Sequence, residues 1–126
     1  MTTWLILGTI LYLLTCYASA LFMINRLGLG GYLGSRDNEA VQHPVHARTE
    51  RAARNFRENY PVFMGLGVLS LVVTGADVAL ATTGAAVFVL ARVVYLPLYM
   101  AGVPILRSAV FMVGWGGMVA MIVALL

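Results

Sequence analysis

Formal charge is absent from residues 1–25, 59–76, 78–91, 93–106 and 108–126 of this 126-residue chain, and no other feature restricts its fold as much. A helix rising 1.5 Å per residue needs about 20 mostly apolar residues to cross the hydrocarbon core of a bilayer. The runs, with the isolated charges between them, group into four such helices, expected near Thr3–Ile24, Ala47–Thr74, Thr83–Val103 and Ile105–Leu126. Only 10% of the residues are charged and 61% are hydrophobic, against roughly 25% charged in soluble domains. The sequence therefore reads as an integral membrane protein of the all-α class, a four-helix bundle of up-down topology forming a single domain over residues 1–126. The first segment lacks a basic leader and its apolar run is longer than that of a signal peptide, so it is expected to be a retained helix.

The position of the arginines along the chain carries more information than the net charge of +3. Arg26, Arg36, Arg48, Arg51, Arg54 and Arg57 fall in or beside the first connection and Arg107 at the third, whereas the second, "TGADVALATTG", carries only Asp77. Cytoplasmic loops are the basic ones. The first and third connections are thus expected in the cytoplasm and both termini on the opposite side. The stretch "NRLGLGGYLGSRDNEAVQHPVH" reads as the one substantial loop. Its glycines follow no strand and do not have the spacing of a phosphate-binding fingerprint, so neither a nucleotide nor a nucleic acid is an expected partner. His43 and His46 flank Pro44 without cysteine or carboxylate ligands in a recognisable spacing, and they read as a solvated loop rather than a metal site. The one cysteine, Cys16, permits no intrachain disulfide and reads as a packing residue.

The densest group of charges is "RAARNFRENYP", residues 51–61. On a helix, Arg51, Arg54, Asn55 and Glu58 follow an i, i+3, i+4, i+7 pattern and share an arc of about 100°. Arg57 points elsewhere, towards the headgroups, and Pro61 is expected to introduce a local kink. The stripe is expected to enter the bundle, where a buried Glu58 carboxylate requires a partner. Arg92, in the middle of the third apolar segment, can supply one. A charge at that depth is costly, faces the bundle interior and marks function by default. Antiparallel second and third helices would bring the two to one level, so an Arg92–Glu58 ion pair is expected. Tyr95 and Tyr99 share the face of Arg92. Arg107 and Ser108 open the fourth helix behind Pro104, which suits a first helical turn. Interfacial anchoring alone would explain Arg107, but polar residues converging from three helices suit a small anionic ligand bearing carboxylates.

At these residues the chain resembles a known family. "ERAARNFRENYPVF" is similar to the second-helix signature of the MAPEG family, the membrane-associated proteins of eicosanoid and glutathione metabolism. The resemblance covers four helices, the R-x-x-R-N-x-x-E spacing, an arginine with downstream tyrosines in the third helix and the Arg-Ser pair of the fourth. It implies a homotrimer with glutathione sites at subunit interfaces, open to the cytoplasm. It also implies glutathione as co-substrate with no metal, a hydrophobic electrophile or hydroperoxide as second substrate, and membrane lipid as surroundings. Matched by motif, Arg51, Arg54, Asn55 and Glu58 would bind or position the tripeptide, Arg92 would hold Glu58, and Tyr95 and Tyr99 would line the pocket. Arg107 would stabilise the thiolate and Ser108 would activate the thiol. The chain departs from some members at Tyr95, and at Phe111, where they carry tyrosine. The absence of lysine points to a bacterial inner membrane. A second class of function, a non-catalytic trimeric structural protein or a binder of another anion such as a lipid headgroup, keeps the same arginines for other ends. The charge distribution makes one direct prediction: a topology reporter fused to either terminus should register on the non-cytoplasmic side, and a cytoplasmic signal from either would reverse the assignment.

Overall fold

The computed structural model describes residues 1–34 and 44–126, and these form four helical elements with no strand among the described residues. They are α1 (Thr2–Leu33), α2 (Pro44–Val72), α3 (Val78–Ala101) and α4 (Pro104–Val123). Arg36 and His43 lie outside the described residues.

Helix α1 runs on to Leu33, well past the expected end at Ile24. The sequence "NRLGLGGYL" was expected in a loop, but a helical glycine costs only about 1 kcal/mol. Glycine's freedom is used in that stretch at Gly28, where φ is 69° and ψ 168° and the helical path is interrupted. Upstream of it, the segments Thr2–Ala18 and Ala20–Leu33 are bent by 40°. Helix α2 continues through Pro61, so the expected kink does not break it.

Helix α3 starts at Val78, five residues before the expectation, because Asp77 caps it: Asp77 Oδ1 accepts the Leu80 N–H at 2.9 Å. Thr82 and Thr83 look like loop residues in sequence, yet their hydroxyls donate back to the Val78 and Ala79 carbonyls at 2.7 and 3.0 Å. At the other end Gly102 adopts the left-handed conformation (φ 75°, ψ 33°), which stops α3, and Pro104 starts α4 immediately afterwards. Arg48 secures that corner. Its Nη1 donates to the Met100 carbonyl at 3.3 Å, and its guanidinium lies so close over Gly102 that a Cβ there would sit 2.5 Å from Nη1. A cation at a helix C-terminus is also favoured by the helix dipole.

Successive helices run antiparallel. Gly67 of α2 meets Leu5 of α1, Asn55 of α2 meets Arg92 of α3, and Asp77 N–H at the start of α3 donates to the Ala124 carbonyl beyond α4 at 2.8 Å. One core draws on all four elements, through Leu5, Phe56, Phe63, Ala85, Phe88, Val89, Met118 and Met121. Much of the outer surface is apolar, with Leu14, Leu21, Val72 and Ile105 among its exposed side chains. Helices α3 and α4 are long and apolar enough to cross a membrane, and α1 is a third if its bent pair counts as one span. The charges of α2 precede Asn59, and the rest of that helix is free of them.

Between helices in lipid the hydrophobic drive is weak, and close packing of small residues takes its place. Gly84 and Gly117 provide it between α3 and α4. A Cβ on Gly84 would lie 2.5 Å from the Gly117 carbonyl oxygen, and one on Gly117 would lie 2.6 Å from that of Gly84. Both obstacles are backbone and cannot rotate away. Gly84→Val or Gly117→Val should therefore destabilise the fold by at least about 2 kcal/mol. Gly65→Ala, with open space around it, should change stability by no more than about 1 kcal/mol. Reversible unfolding in mixed micelles reads the difference.

Candidate functional site

Five of the candidate residues, Asn55, Arg92, Tyr95, Tyr99 and Arg107, meet where α2, α3 and α4 approach one another, and Arg92 is at the centre. Its side chain is buried at 4% exposure, within a helix apolar enough to span the membrane. Four rings surround its guanidinium carbon: Phe88 and Tyr95 at 5.2 Å, Phe56 at 5.3 Å and Phe111 at 5.5 Å from their centroids. Each such cation–π contact is worth about 0.5–2 kcal/mol, so together they offset much of the roughly 3 kcal/mol cost of an arginine at that depth.

The hydrogen bond of Arg92 goes to Asn55, with Nη1 donating to Asn55 Oδ1 at 2.6 Å. This corrects the expected Arg92–Glu58 ion pair. Glu58 is exposed and forms no ion pair with Arg92. The reason lies in helix phase. The buried face of α2 is formed by Thr49, Ala52, Phe56, Asn59 and Phe63, about 130° round the helix from the centre of the charged stripe. Arg51, Arg54 and Glu58 do share a face, as their spacing requires, but that face is exposed and turned away from the core. Asn55 is half-buried at the edge between the two faces and is the stripe's link to the interior. Arg57 is exposed as well.

From Arg92 the contacts continue towards α4. Tyr95, buried, meets Tyr99 edge-on at 5.5 Å and Phe111 at 6.1 Å. The Arg107 guanidinium carbon stands 4.4 Å from the centre of the Tyr99 ring. Asn55, Arg92, Tyr95, Tyr99 and Arg107 thus form one line of contacts across three helices. Ser108 is not in it. Its side chain is exposed and its hydroxyl donates to the Pro104 carbonyl at 2.9 Å, a bond within its own helix. A crevice lined by Ala91, Arg92, Tyr95, Val110, Phe111 and Gly114 runs between α3 and α4 beside the guanidinium, too narrow to admit a water molecule. His46, expected in a solvated loop, is instead buried within the first turn of α2, and its Nε2 has no hydrogen-bond partner among the described residues.

Sequence reasoning missed the ring walls and Arg48. Phe88, Arg92 and Tyr95 are spaced i, i+4, i+7, so the caging face of α3 could have been read from the same rule that grouped Arg92 with Tyr95. Phe56 could not, because only packing shows which α2 ring faces α3. Phe111 belongs to the wall around Arg92 and rests on Trp115 at 6.5 Å.

A family model described as the MAPEG family matches residues 2–126, nearly the whole chain. No curated protein is a significant match to it. The geometry separates two variants that an Arg92–Glu58 pair would make alike. Asn55→Ala leaves a buried guanidinium without its acceptor and should cost about 3 kcal/mol, whereas Glu58→Gln, at an exposed position, should stay within about 0.5 kcal/mol of wild type. Melting temperatures of the two variants in one detergent settle the order.

Proposed function

The chain belongs to the MAPEG family, and on that premise we propose that it is a membrane-bound glutathione transferase, with peroxidase chemistry as the other outcome of the same thiolate. The observation that carries this reading is the line Asn55–Arg92–Tyr95–Tyr99–Arg107, which ends in a guanidinium held against a phenol ring at the start of α4. Glutathione brings two carboxylates and a thiol. Arg51 and Arg54 on the exposed face of α2 match the carboxylates in charge, and an arginine forks onto a carboxylate through two parallel hydrogen bonds.

Arg107 is the residue for the thiol. A free thiol of pKa near 8.5 is mostly protonated at neutral pH, and a fixed cation beside it raises the thiolate fraction. The thiol proton leaves to water, the sulfur attacks an electrophilic carbon arriving from the lipid, and a C–S bond replaces the bond to the leaving group. Ser108 is a weaker candidate than the sequence implied, because its proton already goes to the Pro104 carbonyl. Arg107 then acts without it, and Tyr99 restrains the guanidinium plane.

The crevice beside Arg92 has no room for a tripeptide, and Arg51, Arg54 and Glu58 face out of the protomer. Both facts favour a site completed between copies of the chain in a homotrimer. In that assembly each protomer is an up-down four-helix bundle with both termini outside, set in the bacterial inner membrane, with the site near the cytoplasmic surface where the arginines gather. The test is direct. Wild-type protein should develop thiolate absorbance on titration with glutathione and conjugate a small aryl halide. Arg107→Ala should lower kcat about 100-fold while the melting temperature stays near that of wild type. Neither absorbance nor conjugation in the wild type would leave the non-catalytic structural reading in its place.

A further inference from the structure

Arg92 lies too deep among its rings to serve as an open ligand-binding arginine, and the question is what it does to its neighbour. A guanidinium carries donors only, and an asparagine amide carries a carbonyl oxygen on one side and an NH2 group on the other. Because Nη1 donates to Asn55 Oδ1 at 2.6 Å, the oxygen must point inward. Turning the amide over would set N–H against N–H, losing a charge-assisted bond and adding a donor–donor clash. Arg92 cannot swing away to accommodate such a turn, since rings on α2, α3 and α4 stand 5.2–5.5 Å from its guanidinium carbon.

The consequence falls on Nδ2 of Asn55. It forms no hydrogen bond among the described residues. The Asn55 backbone carbonyl already holds the Asn59 amide at 2.7 Å. Asn55 is half-buried at the border of the exposed face that carries Arg51, Arg54 and Glu58. We propose that Arg92 is a positioning residue that locks the Asn55 amide with its NH2 group towards the ligand, so that Asn55 can only donate and selects a carboxylate or peptide carbonyl there. This rests on the glutathione reading above, and replaces a direct Arg92–Glu58 pairing with a role exerted through Asn55.

The test is a double-mutant cycle on glutathione affinity, measured by calorimetry in detergent with a melting temperature for every variant. Asn55→Ala should weaken glutathione about 30-fold and Arg92→Met about tenfold. The double variant should be no weaker than Asn55→Ala alone, within about twofold, because with the amide gone there is nothing left for Arg92 to orient. In conjugation assays Arg92→Met should raise KM for glutathione and leave kcat within about twofold, and Arg92→Lys, which keeps a donor, should restore KM to within about threefold of wild type. Asn55→Asp keeps an acceptor for Arg92 and removes the outward donor. It should melt at or above the wild-type temperature yet lose affinity about 100-fold. Losses that multiply in the double variant, or an Asn55→Asp protein that binds like wild type, would overturn the positioning role while leaving glutathione binding intact. A wild-type protein that binds no glutathione would overturn the reading beneath it and the proposal together.

Discussion

A guanidinium that can shed neither its charge nor its position, set inside an apolar helix, imposes the main constraint on this structure. Arg92 has five N–H donors to account for, and the protein answers with one strong hydrogen bond and a wall of rings rather than with a carboxylate. That choice has a chemical effect. A buried carboxylate would neutralise Arg92 and close the site electrostatically, whereas a neutral amide and π faces solvate the charge without cancelling it. The interior of the bundle therefore keeps a net positive centre behind a surface that carries more arginine, an arrangement suited to an anion.

The wall can form only if α4 comes close to α3. Phe111 reaches Arg92 from α4 because the two helices touch backbone to backbone at Gly84 and Gly117 and pack Gly114 against Ala91. Farther along, Asp77 ties the start of α3 to the end of α4, and Arg48 with Gly102 closes the opposite corner. The hairpin is thus fixed at both ends and in the middle, and the register that results sets Arg107 over Tyr99. Small residues distant from Arg107 decide where its guanidinium stands, because between helices in lipid the contact geometry is set by packing.

How much of this was readable in the sequence depends on whether the signal was local. A helix in each of the four regions, Pro104 at a helix start and the shared faces of Arg51, Arg54 and Glu58 or of Arg92, Tyr95 and Tyr99 follow from helical periodicity, and the structure has them. Of the four expected spans, only α3 and α4, with α1 if its bent pair is one span, are long and apolar enough to cross a membrane, and α2 is not. Periodicity says which residues share a face and nothing about where that face points. That is why the α2 stripe was expected to enter the core and instead lies outside it, and why Glu58 was given a partner that belongs to Asn55. The far end of α1 differs from the expectation for another reason. Glycines between Asn25 and Gly34 look like loop punctuation, but in an apolar helix with leucines around them they cost little, and the chain departs from helix at Gly28. The role of Arg48 at the α3–α4 corner is not legible from periodicity, because its acceptor, the Met100 carbonyl, is 52 residues away in sequence.

Asn55 shows why the two faces of α2 cannot be treated as separate designs. A helix that places four charged or polar groups on one arc and a core on the opposite one leaves only its edge positions able to touch both, and position 55 is such an edge. A charged residue there would either repel Arg92 or neutralise it, and an apolar one would leave the guanidinium without an acceptor. An amide meets both demands because it is neutral and its two ends are chemically opposite: the carbonyl satisfies the interior cation and, in the proposed site, the NH2 group is left to donate outward. The outward donor is thereby fixed by an inward one. In the proposed site, a change to the packing of Phe56, Phe88 or Phe111 would reach the exposed face of α2 by that route, through the orientation of one side-chain amide.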